Sequence, residues 1–158
     1  MLIGQGFDAH RFAGPADRRP LWLACLEWDG NGIEGDSDGD VAAHALIDAL
    51  LSAAHLGDIG TLFGVGASSA GAGRHGTDML QETVEYLHAH GFAPSSASVA
   101  LVGNRPKIGP RRTEAEAALS AAVGCQVSLT ATTTDGMGFT GRGEGIAAIA
   151  TALVEPRG

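Results

Sequence analysis

Lysine is almost missing from this sequence. Lys107 is the only one, and Lys and Arg together number 10 against 18 Asp and Glu, for a formal net charge of -8. A chain so short of positive charge has no basic stripe, which argues against nucleic acid as a partner. Long apolar runs are missing as well: none approaches the roughly 18 residues of a membrane-spanning helix. Cysteine is scarce, and Cys25 and Cys125 form no CxxC pair. Two buried free thiols in a reducing compartment is the plain reading. Met1 to Gly6 lacks a basic flank ahead of an apolar run, so no secretory signal is legible and a cytoplasmic protein is expected.

Other features are abundant. Apolar residues make up 44% of 158 residues, enough for one domain over 1–158 with a real core. The 24 glycines cluster in short motifs, a pattern that suits tight turns and close approach to a ligand better than disorder. An acidic chain that binds a phosphorylated ligand must do so locally, with metals, backbone N–H groups and a few Arg.

Met1 to Asp8 reads as an apolar strand ending in the polar cluster Asp8-Ala9-His10-Arg11. Leu21 to Leu26 reads as a second strand. Asp36 to Asp40 is a cap signal ahead of a helix over Val41 to Leu56, with Val41, Ala45, Leu46, Ala49, Leu50 and Ala53 on one face and Gly57 closing it. Gly64 to Gly76 reads as a loop. A second helix spans Thr77 to His90, with Thr77 or Asp78 near its cap and Gly91 past its end. Ser98 to Val102 is a short strand, Pro110 to Val123 a third helix, and Val127 to Thr132 and Ile146 to Val154 the last strands. Mixed strands and helices without a domain boundary predict an α+β fold, one sheet with helices packed on a single face.

Four groups of residues carry possible chemistry. Asp8 and His10 lie at i and i+2 of a strand and point to one side, and His44 sits one turn into the first helix. Two His and one carboxylate suit zinc with a fourth position open to substrate. Asp40 and Asp48, at i-4 and i+4 from His44, either orient its imidazole or serve as a helix cap and a solvated side chain. In Leu56-Gly57-Asp58-Ile59-Gly60, two glycines bracket an acid that accepts from ligand hydroxyls or ends a helix. Gly103-Asn104-Arg105-Pro106-Lys107-Ile108-Gly109 follows a strand; its exposed backbone reads a base edge and Lys107 meets phosphate, or it is a basic surface turn. Ala131-Thr132-Thr133-Thr134-Asp135-Gly136 offers hydroxyls and N–H groups to phosphate, with Asp135 available to a hard cation. His55, His75, His88 and His90 have no such company and read as structural or solvated.

Together these stretches resemble the 2-C-methyl-D-erythritol 2,4-cyclodiphosphate synthase family. The resemblance rests on Gly4-x-Gly6-Phe7-Asp8-x-His10, Ser37-Asp38-Gly39-Asp40-Val41-x-x-His44-Ala45, Asp48-Ala49-Leu50-Leu51, Leu56 through Gly60, Pro106-Lys107, and Ala131 through Gly145, all in family order. Residues 13–35 and 64–76 match poorly. The resemblance implies a homotrimer packed through the sheets, with each active site between two subunits. Asp8, His10 and His44 would bind Zn²⁺ in one subunit. The neighbour's Gly103 to Gly109 (with Asn104, Arg105, Pro106, Lys107 and Ile108) and Thr132 to Asp135 would hold cytidine and phosphates. Asp135 would carry a Mg²⁺ or Mn²⁺ that bridges phosphates. Ala9, Asp36, Ser37, Asp58, Ile59, Gly60, Phe63 and Phe139 would meet substrate, and Thr133 would serve the transferring phosphoryl group. Arg142 and Glu144 would face a central cavity that takes prenyl diphosphates.

The sequence departs from that family at Asp36, where His is usual and is assigned to transition-state stabilisation. Asp36 would act through its backbone N–H, or stay protonated, or bind metal; the first is favoured. Asp135 stands for Glu, Thr130 for Lys, Gln5 for His, and Gly64-Val65-Gly66-Ala67 for a Pro-Asp-rich stretch. Asp36 keeps open a second reading, a trimer that holds nucleotide or prenyl diphosphate without turnover. A third, a zinc hydrolase, lacks an obvious water-activating base.

Overall fold

The computed structural model describes residues 1–66 and 68–158; Ala67, the last member of the glycine-rich 64–67 stretch, lies outside the described residues. Strands β1 (Leu2–Arg11), β4 (Phe92–Val102), β5 (Gln126–Thr132) and β6 (Gly145–Pro156) form the main sheet, ordered β1-β6-β4-β5. β1 pairs antiparallel with β6 from Leu2↔Val154 to Arg11↔Gly145, and β4 is antiparallel to β6 on its other side. β4 and β5 run parallel, joined through helix α4 (Arg112–Val123) as a parallel pair requires. Helices α1 (Val41–Ala53), α3 (Gly76–Ala89) and α4 cover one face, α1 lying across β1, β6 and β4. The α+β architecture, one main sheet with helices on a single face, is as the sequence predicts.

Alternation decides which side chains enter the core. Ala97, Val99 and Leu101 of β4 and Ala148, Ala150 and Ala152 of β6 are buried under the helices. The other face carries Ile3, Gln5 and Phe7, then Ile149 and Thr151, then Ser96 and Ser98. β1 owes its place to two glycines. A methyl group at Gly4 would overlap the Ala49 carbonyl and one at Gly6 the Ala45 carbonyl, so α1 rests directly on the strand backbone.

The segment read as one strand, 21–26, is a hairpin of β2 (Leu21–Leu23) and β3 (Leu26–Trp28). Its turn residues Ala24 and Cys25 take φ 52° and 63°, a region that costs an L-residue about 1–2 kcal/mol. Asp40, fully buried, holds them there. Its Oδ1 accepts from Ala24 N at 2.9 Å and its Oδ2 from Cys25 N at 2.8 Å. Oδ1 also caps α1 through Ala43 N at 3.1 Å.

Other boundaries moved for identifiable reasons. α1 stops at Ala53 because Ala54 caps it and His55 turns left-handed (φ 59°), ahead of Gly57. α3 starts at Gly76 after His75, not at Thr77 or Asp78. β4 begins at Phe92 instead of Ser98, because its serines point to the open face and hide the strand's apolar pattern. Two short helices, α2 (Ile59–Phe63) and α5 (Gly138–Gly141), are too brief to show a period.

Asparagine is isosteric with Asp40 but has one acceptor oxygen where the structure uses two. Asp40→Asn is expected to lower stability by about 2–3 kcal/mol, since an N–H is left facing an amide. Urea unfolding at unchanged slope measures this; wild-type stability would show that one oxygen suffices.

Candidate active site

Because α1 lies so close to β1, His44 meets the two side chains that alternation sends to the helix side. Asp8 Oδ2 is 2.9 Å from His10 Nδ1 and 3.2 Å from His44 Nδ1. One ligand atom from each of the three lies within 4.8 Å of the others. Despite its closeness to Asp8, the buried Nδ1 of His10 has no hydrogen-bond partner among the described residues. Such a buried orphan is rare and needs an explanation. Ligand atoms from three side chains gathered about one point are what a shared cation requires. Two imidazoles and a carboxylate fit a divalent transition-metal ion with a position left open.

Ser37 completes this cluster. Its Oγ lies 3.0 Å from His44 Nε2. With a cation on Nδ1, Nε2 would carry the proton and donate to Ser37, which would fix the ring's tautomer. Burial works against the charge on Asp8, but the two imidazoles outweigh it and hold the carboxyl below its ordinary range. Burial likewise lowers His44, yet Asp8, then Asp40 and Asp38, bring it out above the usual imidazole value.

Asp40 and Asp48 do not contact the His44 ring. Asp40 serves the hairpin turn and the helix cap. Asp48 Oδ1 accepts from Ile59 N at 2.7 Å, and burial raises its carboxyl more than that bond lowers it. Asp58 caps α2 by accepting from the Thr61 N–H and hydroxyl, both at 2.9 Å, and the N–H bond leads in lowering its carboxyl. Two aspartates therefore fix α2, whose Ile59 and Phe63 form one wall of a cavity of about 190 Å³ beside the cluster. Asp36 and Ser37 stand opposite; Gly64, Val65, Gly66, Ser69, Gly71 and Met79 line the rest. The sequence offered no signal for the five of these that precede Met79, since a Gly/Ser-rich loop has no periodicity.

Asp36 bridges to that loop. Its Oδ2 accepts from Gly66 N at 3.1 Å and its carbonyl from Gly73 N at 2.6 Å. The Asp36 carboxylate is thus engaged within the chain, securing the loop at Gly66.

The other predicted residues lie elsewhere on the same chain. Val102 pairs with Thr132 and with Ala147, and Ala147 pairs with Ala9, so all four strands end their site residues at one end of the sheet. Three strand spacings still separate β1 from β5, about 14 Å. Gly103 N donates to Thr132 O at 3.0 Å, which joins the segments after β4 and β5 into one crevice. There Lys107 and Gly109 are exposed while the Ile108 side chain is buried, so Ile108 can offer only backbone. Asn104 Nδ2 donates to Gly141 O at 3.0 Å. The Arg105 guanidinium turns inward, 3.7 Å from the Phe12 ring, and donates to Asn31 O at 2.8 Å. Burial lowers its pKa.

Thr133 and Asp135 are exposed with side-chain oxygens 3.4 Å apart, and Asp135 takes φ 52°. Thr134 is turned inward, its Oγ1 2.6 Å from Met137 O and 2.8 Å from Thr140 Oγ1. Phe139, Ala9, His10, Arg11, Glu144 and Gly145 line a further hollow of about 200 Å³, where Glu144 pairs with Arg11 and Arg142.

A model of the YgbB family matches residues 1–155. The chain belongs to this family. The 2-C-methyl-D-erythritol 2,4-cyclodiphosphate synthase of Bifidobacterium longum subsp. infantis is 71% identical over 167 residues, spanning 98% of this chain and 96% of its own. Among solved structures, the bifunctional IspDF of Campylobacter jejuni is similar at a TM-score of 0.89 and 30% identity, over 98% of this chain and 42% of that one. A 2C-methyl-D-erythritol-2,4-cyclodiphosphate synthase in a CDP-bound form is 35% identical at a TM-score of 0.82, over 97% and 99% of the two chains. Within the YgbB family, then, this chain keeps an Asp–His–His cluster and places an aspartate, Asp36, beside it.

Ser37→Ala removes the acceptor on His44 Nε2 without touching the cluster. Metal affinity is expected to fall about 10–100-fold with the fold intact. Chelator competition on the purified protein measures it, and an unchanged affinity would free His44 from Ser37.

Proposed function

We propose that this protein is the enzyme that converts 4-diphosphocytidyl-2-C-methyl-D-erythritol 2-phosphate to 2-C-methyl-D-erythritol 2,4-cyclodiphosphate and CMP in the non-mevalonate route to isoprenoid precursors, a phosphorus–oxygen lyase. The observation that carries this reading is the Asp8–His10–His44 cluster opening on its cavity, in a chain 71% identical to a synthase of that name. In the reaction an oxygen of the 2-phosphate bonds to the β-phosphorus, the bond from that phosphorus to the bridging α–β oxygen breaks, and CMP leaves with that oxygen. No proton has to be removed from the nucleophile, which is already an anion.

The work left to the protein is to fold the substrate on itself and to offset clustered negative charge. Asp8, His10 and His44 would hold Zn²⁺, which supplies positive charge to phosphate oxygens when bound. Asp135 suits Mg²⁺ or Mn²⁺, since these ions commonly take one carboxylate together with substrate phosphates. Thr132 and Thr133 would donate to the phosphates, Lys107 would meet them as a point charge, and the backbone of 103–109 would read the cytosine edge. Asp58 and Gly60 would take substrate hydroxyls while Ile59 and Phe63 exclude water. Phe139 would meet substrate, and Arg142 with Glu144 would face a central cavity of the trimer that takes a prenyl diphosphate. The CDP-bound relative supports a cytidine-linked substrate.

The spacing of about 14 Å between β1, which carries Asp8 and His10, and β5, which leads into Thr132 to Asp135, supports a second subunit completing each site. The open sheet face supports that reading: Ile3 is 70% exposed, Phe7 60% and Ile149 44%, with Phe7 and Ile149 paired across β1 and β6. Neighbouring large apolar side chains left bare on a sheet mark an interface. We read it as the homotrimer contact. A cytoplasmic setting agrees with two free cysteines, the Cys25 thiol being pushed far up by burial and then by Asp40.

With zinc and magnesium supplied, phosphorus NMR is expected to show equal amounts of CMP and cyclic diphosphate, and chelation to abolish both. A linear monophosphate product would point to hydrolysis instead, and unchanged substrate to a binding protein. Ile149→Glu is expected to run as a monomer in light scattering and to lose turnover while the metal cluster stays loaded. A fully active monomer would end the shared-site reading.

A further inference from the structure

Arg105 lines the crevice assigned to the nucleotide, yet its guanidinium is engaged by the 12–31 segment. The guanidinium packs 3.7 Å above the Phe12 ring, donates to Asn31 O at 2.8 Å, and lies against Gly30, where a methyl group would sit 3.3 Å from Nη1. Asn31 is itself an organiser of the loop between β1 and β2. Its side chain donates to the carbonyls of Ala13 and Gly14 and accepts from Arg19 N. One end of the 103–109 turn is tied to β5 by Gly103 N, and the other is sunk in the core at Ile108. Between those anchors, Arg105 reaches across to the 12–31 segment.

A second arginine repeats the contact one turn further on. Arg111 lies 4.6 Å from the Trp28 ring and donates to Glu27 O at 2.6 Å.

We propose that Arg105 is a positioning residue that clamps the 103–109 turn onto Phe12 and Asn31, and so sets the backbone that grips the nucleotide, without touching the nucleotide itself. The inference rests on the reading of this segment as the cytidine side of the site. A planar guanidinium is needed for it: Lys keeps the charge but can neither stack flat on Phe12 nor bond the Asn31 carbonyl in the same plane. A clamp of this kind controls how well the turn is formed before binding. Its loss therefore appears as weaker nucleotide affinity, because the ligand must order the turn as it binds.

The test uses CDP binding by calorimetry, steady-state turnover and metal content, on wild type, Arg105→Lys, Phe12→Leu and the double variant. Each single variant should weaken CDP binding about tenfold and raise KM to match, with kcat and metal content unchanged. The double variant should be no worse than about tenfold, since both changes open one clamp. Additive losses, an unchanged CDP affinity in Arg105→Lys, or a fall in kcat or metal content would each overturn the proposal. Failure of the wild-type protein to bind CDP would instead overturn the nucleotide reading on which it rests.

Discussion

Everything in the site depends on two backbones in contact. β1 passes beneath α1 at Gly4 and Gly6, where no Cβ fits between strand and helix carbonyls. Any side chain there would push α1 off the sheet, and overpacking of this kind commonly costs 1–3 kcal/mol or a rearrangement. The contact brings His44 within 3.2 Å of Asp8, although the two come from different elements. The metal cluster is a product of packing before it is a product of ligand chemistry.

α1 then distributes that placement. Asp40, His44 and Asp48 recur every four residues, at about 6 Å intervals along the helix. From sequence they look like one imidazole with two attendants. In the fold each faces a different neighbour: Asp40 the β2–β3 turn, His44 the cluster, and Asp48 the start of α2. The hydrogen bonds of the three groups go outward and not to one another, so they fasten three pieces of the site to one helix.

This division explains what could be read in advance. Asp8, His10 and His44 were legible because strand alternation and a helix turn are local rules. The main sheet, its helices and their single-sided packing followed from pattern as well. The hairpin turn was not legible, because Ala24 and Cys25 carry no turn chemistry of their own and borrow it from Asp40, far along the chain. The first six residues of β4 were missed because its serines face the open side. The inward turn of Arg105 was hidden too: a lone Arg beside Pro and Lys looks like surface until Phe12 and Asn31 are placed next to it. Asp36 shows the opposite limit. Its departure from the family was plain, but not that its carboxylate would secure Gly66.

The order of the strands carries a consequence in time. β1 sits at the sheet edge with β6 as its one partner, and its register runs from Leu2↔Val154 to Arg11↔Gly145. The strand that carries Asp8 and His10 is synthesised before the partner strand that must hold it in the sheet. At ordinary rates of synthesis that delay is on the order of ten seconds. During it, two of the three cluster residues lie on a strand without a sheet, so a nascent or truncated chain has the ligands but no site. The three ligand side chains are therefore held together only once β6 has been made and has paired with β1.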